Sequence, residues 1–308
     1  MLNRLERTFG AEFELVITNN SGRRGLALAL QAAGINAQTA GYTHTITPYW
    51  KLTTDCTIAT NGRGEGCELV SPILKGEQGF ADLKTVCDVL NAFGVWSNKS
   101  CSNHVHIQAD DLSLKQLKNV MKASLKYEWV IDRFVAKSRR AGNKWAAPIA
   151  RHFGRTQADV EDNFSMIDSA PDINALQSIL NPYDNGLNNG SRYHKWNFAH
   201  LVSRGTLENR QHNATQDYEK ISAWLNLQMA FLQGFADTRL RASKITHRPQ
   251  ANATHHQTAG NLTLDKGIRR LFKYICLEDG TIDKDLRKYY QTRAKDLASA
   301  ETSAAVAA

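Results

Sequence analysis

Three short stretches of this chain alternate with a period of two and spend one side of the alternation on ionisable groups. They are Glu12-Phe13-Glu14, His104-Val105-His106 and Glu208-Asn209-Arg210, the last followed by His212 on the same parity. Side chains two residues apart on a strand project from one face, and the residue between them projects from the other. Each triplet therefore predicts a strand that can pack on one side and do chemistry on the other. The flanking residues agree, because GAEFELVI at 10–17 and SNHVHIQA at 102–109 alternate throughout.

The remaining pattern supplies helices and loops around these strands. Leu26, Ala29, Leu30 and Ala33 mark a short helix stopped by Gly34. Residues 42–58, rich in Thr, Tyr, Ile and Trp, read as one or two strands, NGRGEG at 61–66 as a tight loop, and CELVSPIL at 67–74 as a strand that Pro72 pushes towards an edge or a bulge. Phe80, Leu83, Val86, Leu90 and Phe93 recur at helical spacing before Gly94. Ser113 caps a long helix running past Trp129. Residues 136–190 read as loops around short helices such as INALQSIL, and KWNFAHL with SRGTLENRQH as a hairpin. A strong helix follows over 216–235, then a polar linker or mobile loop over 241–262. Two C-terminal helices are expected within 263–300, and a frayed, disordered tail over 301–308. Strands in mixed order with hairpin-like neighbours predict an α+β fold with a largely antiparallel sheet.

Composition narrows the function classes. The 308 residues hold 38 Lys and Arg against 30 Asp and Glu, a formal charge of +8, which suits an anionic ligand. The basic residues are scattered and form no nucleic-acid-binding motif, which argues against nucleic acid as the partner. No apolar run approaches the ~20 residues that span a bilayer. The first residues lack the apolar stretch of a secretory leader, so a cytoplasmic location is the expectation. The five cysteines are widely spaced with no C-x-x-C pair, which argues against a disulfide framework or a cysteine zinc site.

Two carboxylates about 6.6 Å apart on one strand face repel by about 2.5 kcal/mol at an effective dielectric near 20. Buried, such a pair needs a cation, either a metal or an arginine. Oxygen-rich sets suit Mg²⁺ or Mn²⁺, and an added imidazole tilts the preference towards Mn²⁺ or Zn²⁺. Glu68 opens an otherwise apolar strand directly after the glycine-rich loop, and Asp55 sits in WKLTTDCT; each is a candidate ligand or a turn former. Nucleotide loops of the usual kinds are missing, since GRGEG is not G-x-G-x-x-G and FGVWSNKS lacks the glycines of a P-loop. A bound nucleotide would be held by side chains and metal.

In order along the chain, FGAEFEL, WKLTTDCTI, GCELVSPIL, CSNHVHI, the Arg139-Arg140 pair and TLENRQHNAT resemble the amidoligase family, over roughly residues 8 to 240. No single motif carries the resemblance; the ordered set does. The resemblance implies a curved, largely antiparallel sheet with helices packed on one face, of the glutamine synthetase and glutamate–cysteine ligase type, within a catalytic domain spanning 1–240. It implies an ATP-dependent carboxylate–amine ligase acting through an acyl phosphate on a small-molecule or peptide carboxylate, with an amine co-substrate. Glu12, Glu14, Glu68, His104, His106 and Glu208 would hold Mg²⁺ or Mn²⁺. Arg210 would stabilise the transferring phosphoryl group, and Asp55 would hold the attacking ammonium and take its proton. Lys51, Arg139, Arg140 and Arg192 are further candidates for phosphate or substrate carboxylate.

The sequence departs from the family's pattern at three places. Ser102-Asn103 stand where Gly-Leu usually precede the histidine pair, Asn209 separates Glu208 from Arg210, and Cys56-Thr57 follow Asp55. The alternative reading is a zinc hydrolase that uses the H-x-H pair. That reading expects the histidines on the first strand of a parallel β/α barrel, whereas an acidic pair occupies that strand here.

Overall fold

β1 (Thr8–Ile17) is the strand on which the first of two units is assembled. Phe9, Ala11, Phe13 and Leu15 are buried on one side of it, and Gly10, Glu12 and Glu14 occupy the other. The computed structural model describes residues 1–140, 143–148, 157–180, 192–240 and 264–306. After β1 come α1 (Gly22–Ala32), β2 (Ala37–Thr39), β3 (Trp50–Thr53), β4 (Glu65–Val70), β5 (Leu74–Lys75), α2 (Gly76–Phe93) and β6 (Ser102–Gln108). With the strand β8 (Thr206–Asn213), the sheet order is β2-β3-β4-β1-β6-β8, and β5 also pairs with β1. β2 and β3 run parallel; β1 is antiparallel to β4, β5 and β6, and β3 to β4. The architecture is thus α+β with a mostly antiparallel sheet.

Register fixes the chemistry. Glu14 pairs with Glu68 and Glu12 with Val70 across β1–β4, while Glu12 pairs with His104 and Gly10 with His106 across β1–β6. Thr53 and Lys51 continue the same two rungs onto β3. Directly paired residues share a face, so the period-2 sets of three strands land side by side.

The opposite face is closed by helices. α2 presents Leu83, Val86, Cys87 and Leu90 to the core and ends at Gly94, whose φ of 75° lets its N–H return to the Leu90 carbonyl. Gly79 lies so close to Phe9 that an added Cβ would stand 3.1 Å from the ring, which places α2 on the Phe9 side. α1 buries Leu26, Ala27 and Leu30 and packs with β2, β3, β4 and α2.

The second unit comprises residues 1–2, 109–207 and 227–308, and the first residues 3–108 and 208–226. This differs from the expected domain of 1–240 followed by a helical extension. The second unit holds α3 (Leu114–Ile131), α4 (Gln157–Ser169), α5 (Ile173–Leu180), β7 (Trp196–Asn197), α6 (His200–Arg204), α8 (Leu264–Leu271) and α9 (Lys284–Val306); α7 (Tyr218–Ala236) begins in the first unit and ends in the second. Ser113 closes a capping box with Gln116 at the start of α3, as its position in the sequence predicts.

The reason for the different division is packing. Gly267 of α8 sits against Trp129 and Val130, where a Cβ would come within 2.5 Å of the indole. Tyr290 of α9 stacks on Phe134 at 4.5 Å, and Arg293 donates to the Phe134 carbonyl at 2.8 Å. The C-terminal helices therefore complete the core around α3. α9 runs through 301–306, where a frayed tail was expected; residues 307–308 and the predicted linker at 241–262 lie outside the described residues.

Two further expectations are corrected. Of residues 42–58 only Trp50–Thr53 form a strand, because the Lys51 ammonium donates to the carbonyls of Thr43 (2.8 Å) and Thr45 (3.0 Å) and gathers that stretch into a loop. The strands of the hairpin expected over 195–212 are β7 and β8, neighbours in the sheet, but their connection holds α6, which Gly205 ends at a φ of 67°.

Candidate active site

Glu12 is the hub of the polar face. Its Oε2 lies 3.0 Å from His104 Nδ1 and its Oε1 lies 3.1 Å from His106 Nε2. Glu208 Oε1 stands 3.7 Å from His104 Nδ1 and accepts from Arg210 Nη1 at 2.5 Å. Glu14 takes both the backbone N–H (2.7 Å) and the hydroxyl (2.8 Å) of Ser102 on Oε2, while Oε1 is 3.5 Å from His104 Nε2. Asp55 spends Oδ1 on the N–H and hydroxyl of Thr57, each at 2.7 Å.

Five carboxylates thus gather around one guanidinium and two imidazoles, and their proton affinities are pushed apart. Burial works to raise the Glu12 carboxyl, but hydrogen bonds from His104 and His106 outweigh it and hold the group well below its ordinary value. Burial likewise opposes the charge of Glu208, yet Arg210 and His106 bring it down to about 2. Arg210 is itself raised: burial disfavours its charge, and Glu208, Glu12 and Glu14 overcome that. Glu68 goes the other way. Burial, and then Glu12, Glu14 and Asp55, raise it well above the ordinary carboxyl value.

The cation that the family resemblance implies fits this donor set. Ligand atoms of Glu12, His106 and Glu208, of Glu12, Glu68 and His104, and of Glu14, Asp55 and Glu68 lie within 4.8 Å of one another in each group. A carboxyl whose burial and acidic neighbours raise its proton affinity is also one that a cation would relieve, and Glu68 is such a group.

Glu68 therefore yields a prediction of opposite signs. Its folded pKa exceeds the unfolded value, so between the two the folded chain binds more protons than the unfolded one, and stability falls as pH rises through that window. Glu68→Gln should stabilise the metal-free protein at pH 8 by about 1 kcal/mol, a discounted like-charge repulsion. The gain should vanish at pH 4. Saturating Mn²⁺ should reverse it, because wild type gains more from the ion than the variant does. Urea unfolding with and without Mn²⁺ reads both effects, and a variant less stable than wild type in the metal-free state at pH 8 would contradict this account.

The face brings together all six predicted ligands, with Arg210 and Asp55. Lys51 shares a rung with Glu12, and its ammonium donates to the Thr43 and Thr45 carbonyls at 3% residue exposure, which clamps that loop. Arg139, Arg140 and Arg192 belong to the second unit. The Arg140 guanidinium donates twice to the Val135 carbonyl and pairs with Glu301 at 2.7 Å, a structural commitment in place of the predicted substrate contact. Arg139 is buried, and Arg192 lies over the Tyr193 ring at 5.1 Å. His212, on the parity of Glu208 and Arg210, packs on Trp224 at 5.0 Å. Sequence reasoning missed Ser102 as a contributor. Its signal was parity, since it shares the face of His104 and His106.

A search of curated proteins finds no match. Among solved structures the chain is similar to a bifunctional glutathione synthetase from Pasteurella multocida, with a TM-score of 0.43 and 12% identity, over 96% of this chain and 50% of that one. The chain spans half the length of that relative. The family model described as "Putative amidoligase enzyme" matches residues 5–232, which include every residue of the acidic face. On that match the chain belongs to the amidoligase family of ligase enzymes.

Proposed function

We propose that this protein is an ATP-dependent carboxylate–amine ligase that forms an amide or peptide bond through an acyl phosphate, on a fold of the glutamine synthetase and glutamate–cysteine ligase type. The observation that carries the reading is the convergence of Glu12, Glu14, Glu68, His104, His106, Glu208 and Arg210 on one sheet face, with Asp55 of the loop after β3 grouped with Glu14 and Glu68. So many carboxylates make sense where cations and a polyanion meet. The largely antiparallel pairing also departs from the parallel barrel that the zinc-hydrolase alternative expects.

A substrate carboxylate attacks the terminal phosphorus of ATP and ADP leaves; the amine then attacks the acyl carbon of the acyl phosphate, forming the amide bond as inorganic phosphate departs. Mg²⁺ or Mn²⁺, when bound by the six ligands, screens the charge of the phosphates. Arg210 is held by Glu208 at 2.5 Å and needs no reorganisation to offset charge on the transferring phosphoryl group. Asp55 has one oxygen fixed by Thr57 and shares a group with Glu14 and Glu68. It suits an ammonium ion, and takes the proton that the amine releases on attack.

Hydroxylamine tests the reading, since it intercepts acyl phosphates as hydroxamates. With Mg²⁺ or Mn²⁺, ATP and a panel of acidic amino acids and peptides, the folded protein should release ADP and hydroxamate together, and chelation should stop both. Tightly held zinc, with no ATP affinity and no hydroxamate from any carboxylate, would replace this reading by the hydrolase.

A further inference from the structure

Ser102 is 2% exposed and stands between two groups of the metal-holding face. Its hydroxyl lies 2.8 Å from Glu14 Oε2 and 2.8 Å from His104 Nε2. A hydroxyl has one proton to give, and a carboxylate only accepts. With that proton on the Glu14 side, the serine oxygen presents a lone pair to Nε2, and the imidazole must answer with an N–H. A neutral imidazole carries a single N–H, so with Nε2–H committed to Ser102, Nδ1 would meet a bound cation with its lone pair. Nδ1 faces Glu12 Oε2 at 3.0 Å and Glu208 Oε1 at 3.7 Å, and His104 offers a ligand atom grouped with those of Glu12 and Glu68.

We propose that Ser102 is a positioning residue that holds His104 in its Nε2–H form and so turns the Nδ1 lone pair to the cation shared with Glu12 and Glu68. The proposal rests on the metal-holding role of this face under the ligase reading, and goes beyond it by ordering the two imidazole nitrogens. A ligating histidine is aimed by whatever accepts its second N–H. Here the acceptor is a serine fixed by a carboxylate: Glu14 holds Ser102 through both its N–H and its hydroxyl, and Ser102 holds His104. Glu14 acquires a second task, since Oε2 anchors the serine while the carboxylate still joins the group with Asp55 and Glu68.

The test uses the full chain and needs no turnover. Mn²⁺ affinity is measured by electron paramagnetic resonance, and the ring-nitrogen shifts of His104 are read by ¹⁵N NMR with Mg²⁺, assigned by their loss in His104→Gln. Wild type should show the Nε2–H pattern. Ser102→Ala should lose that pattern and bind Mn²⁺ about 10–100-fold more weakly, while Ser102→Thr, which keeps a hydroxyl, should stay within about threefold of wild type. Wild-type affinity in Ser102→Ala, a Thr variant as weak as the Ala variant, an Nδ1–H pattern in wild type, or no Mn²⁺ binding by wild type would each overturn the proposal. Mn²⁺ binding that depends on Ser102 in a protein that forms no hydroxamate supports the proposal and removes the ligase reading alone.

Discussion

Glu12→Gln should lower affinity for Mn²⁺ by on the order of 100-fold or more and take hydroxamate formation below detection. Glu12 is the carboxylate common to the Glu12–His106–Glu208 and Glu12–Glu68–His104 groups, and its two oxygens face different imidazoles. Glutamine preserves the shape but replaces one carboxylate oxygen with an amide nitrogen that cannot ligate a cation, and it removes the negative charge. The fold should survive, because Glu12 lies on the face opposite the buried Phe13 and Leu15 and its removal relieves Glu68. Titration of Mn²⁺ into the purified variant, with a thermal melt beside it, checks both halves. Undiminished Mn²⁺ affinity would mean that Glu12 is no ligand.

Arg210→Ala should cost about 3–5 kcal/mol at pH 7, since it strands the buried Glu208 without its partner. The pH dependence follows from the lowered Glu208. Paired with Arg210, its carboxyl sits at about 2, below the unfolded value, so its contribution is present above about pH 4.5 and is lost as pH falls through 2. Without Arg210, burial prevails and the carboxyl rises, so the penalty is largest at neutral pH and shrinks in acid. Urea unfolding at pH 7 and pH 3 should show the larger deficit at pH 7, and adding Glu208→Gln should recover part of it. In variants that remain folded, turnover should fall a further 10²–10³-fold, about the cost of losing one preorganised donor to a developing anion. Full turnover in Arg210→Ala would remove it from the mechanism.

The site was legible in the sequence because period-2 alternation decides which side chains share a face, and it decides this locally. Glu12 with Glu14, and His104 with His106, needed no tertiary information. Register was not legible: Glu14 faces Glu68, and Glu12 faces His104, only once turns and crossovers have set the pairing. The same limit hid Ser102, whose chemistry arises from standing beside Glu14. Lys51 and Arg140 looked like phosphate contacts because charge is visible in sequence and hydrogen-bond partners are not. The Thr- and Tyr-rich stretch before Trp50 had the composition of a strand, but one lysine drew its carbonyls away from any ladder. The division into units was invisible for a similar reason. Nothing in the spacing of α8 says that its Gly267 must seat Trp129.

The first unit takes its last strand from beyond residue 207, after the chain has detoured through 109–207. During synthesis, β6 therefore leaves the ribosome with its outer edge unpaired. At about 5–20 residues per second the missing strand is translated only after about 5–20 s. Throughout that interval the nascent protein carries its acids and imidazoles without the Glu208–Arg210 pair, beside an open sheet edge able to recruit another chain. Premature termination before residue 208 would leave a product that can neither seal this edge nor set Arg210 against the charge of its carboxylates.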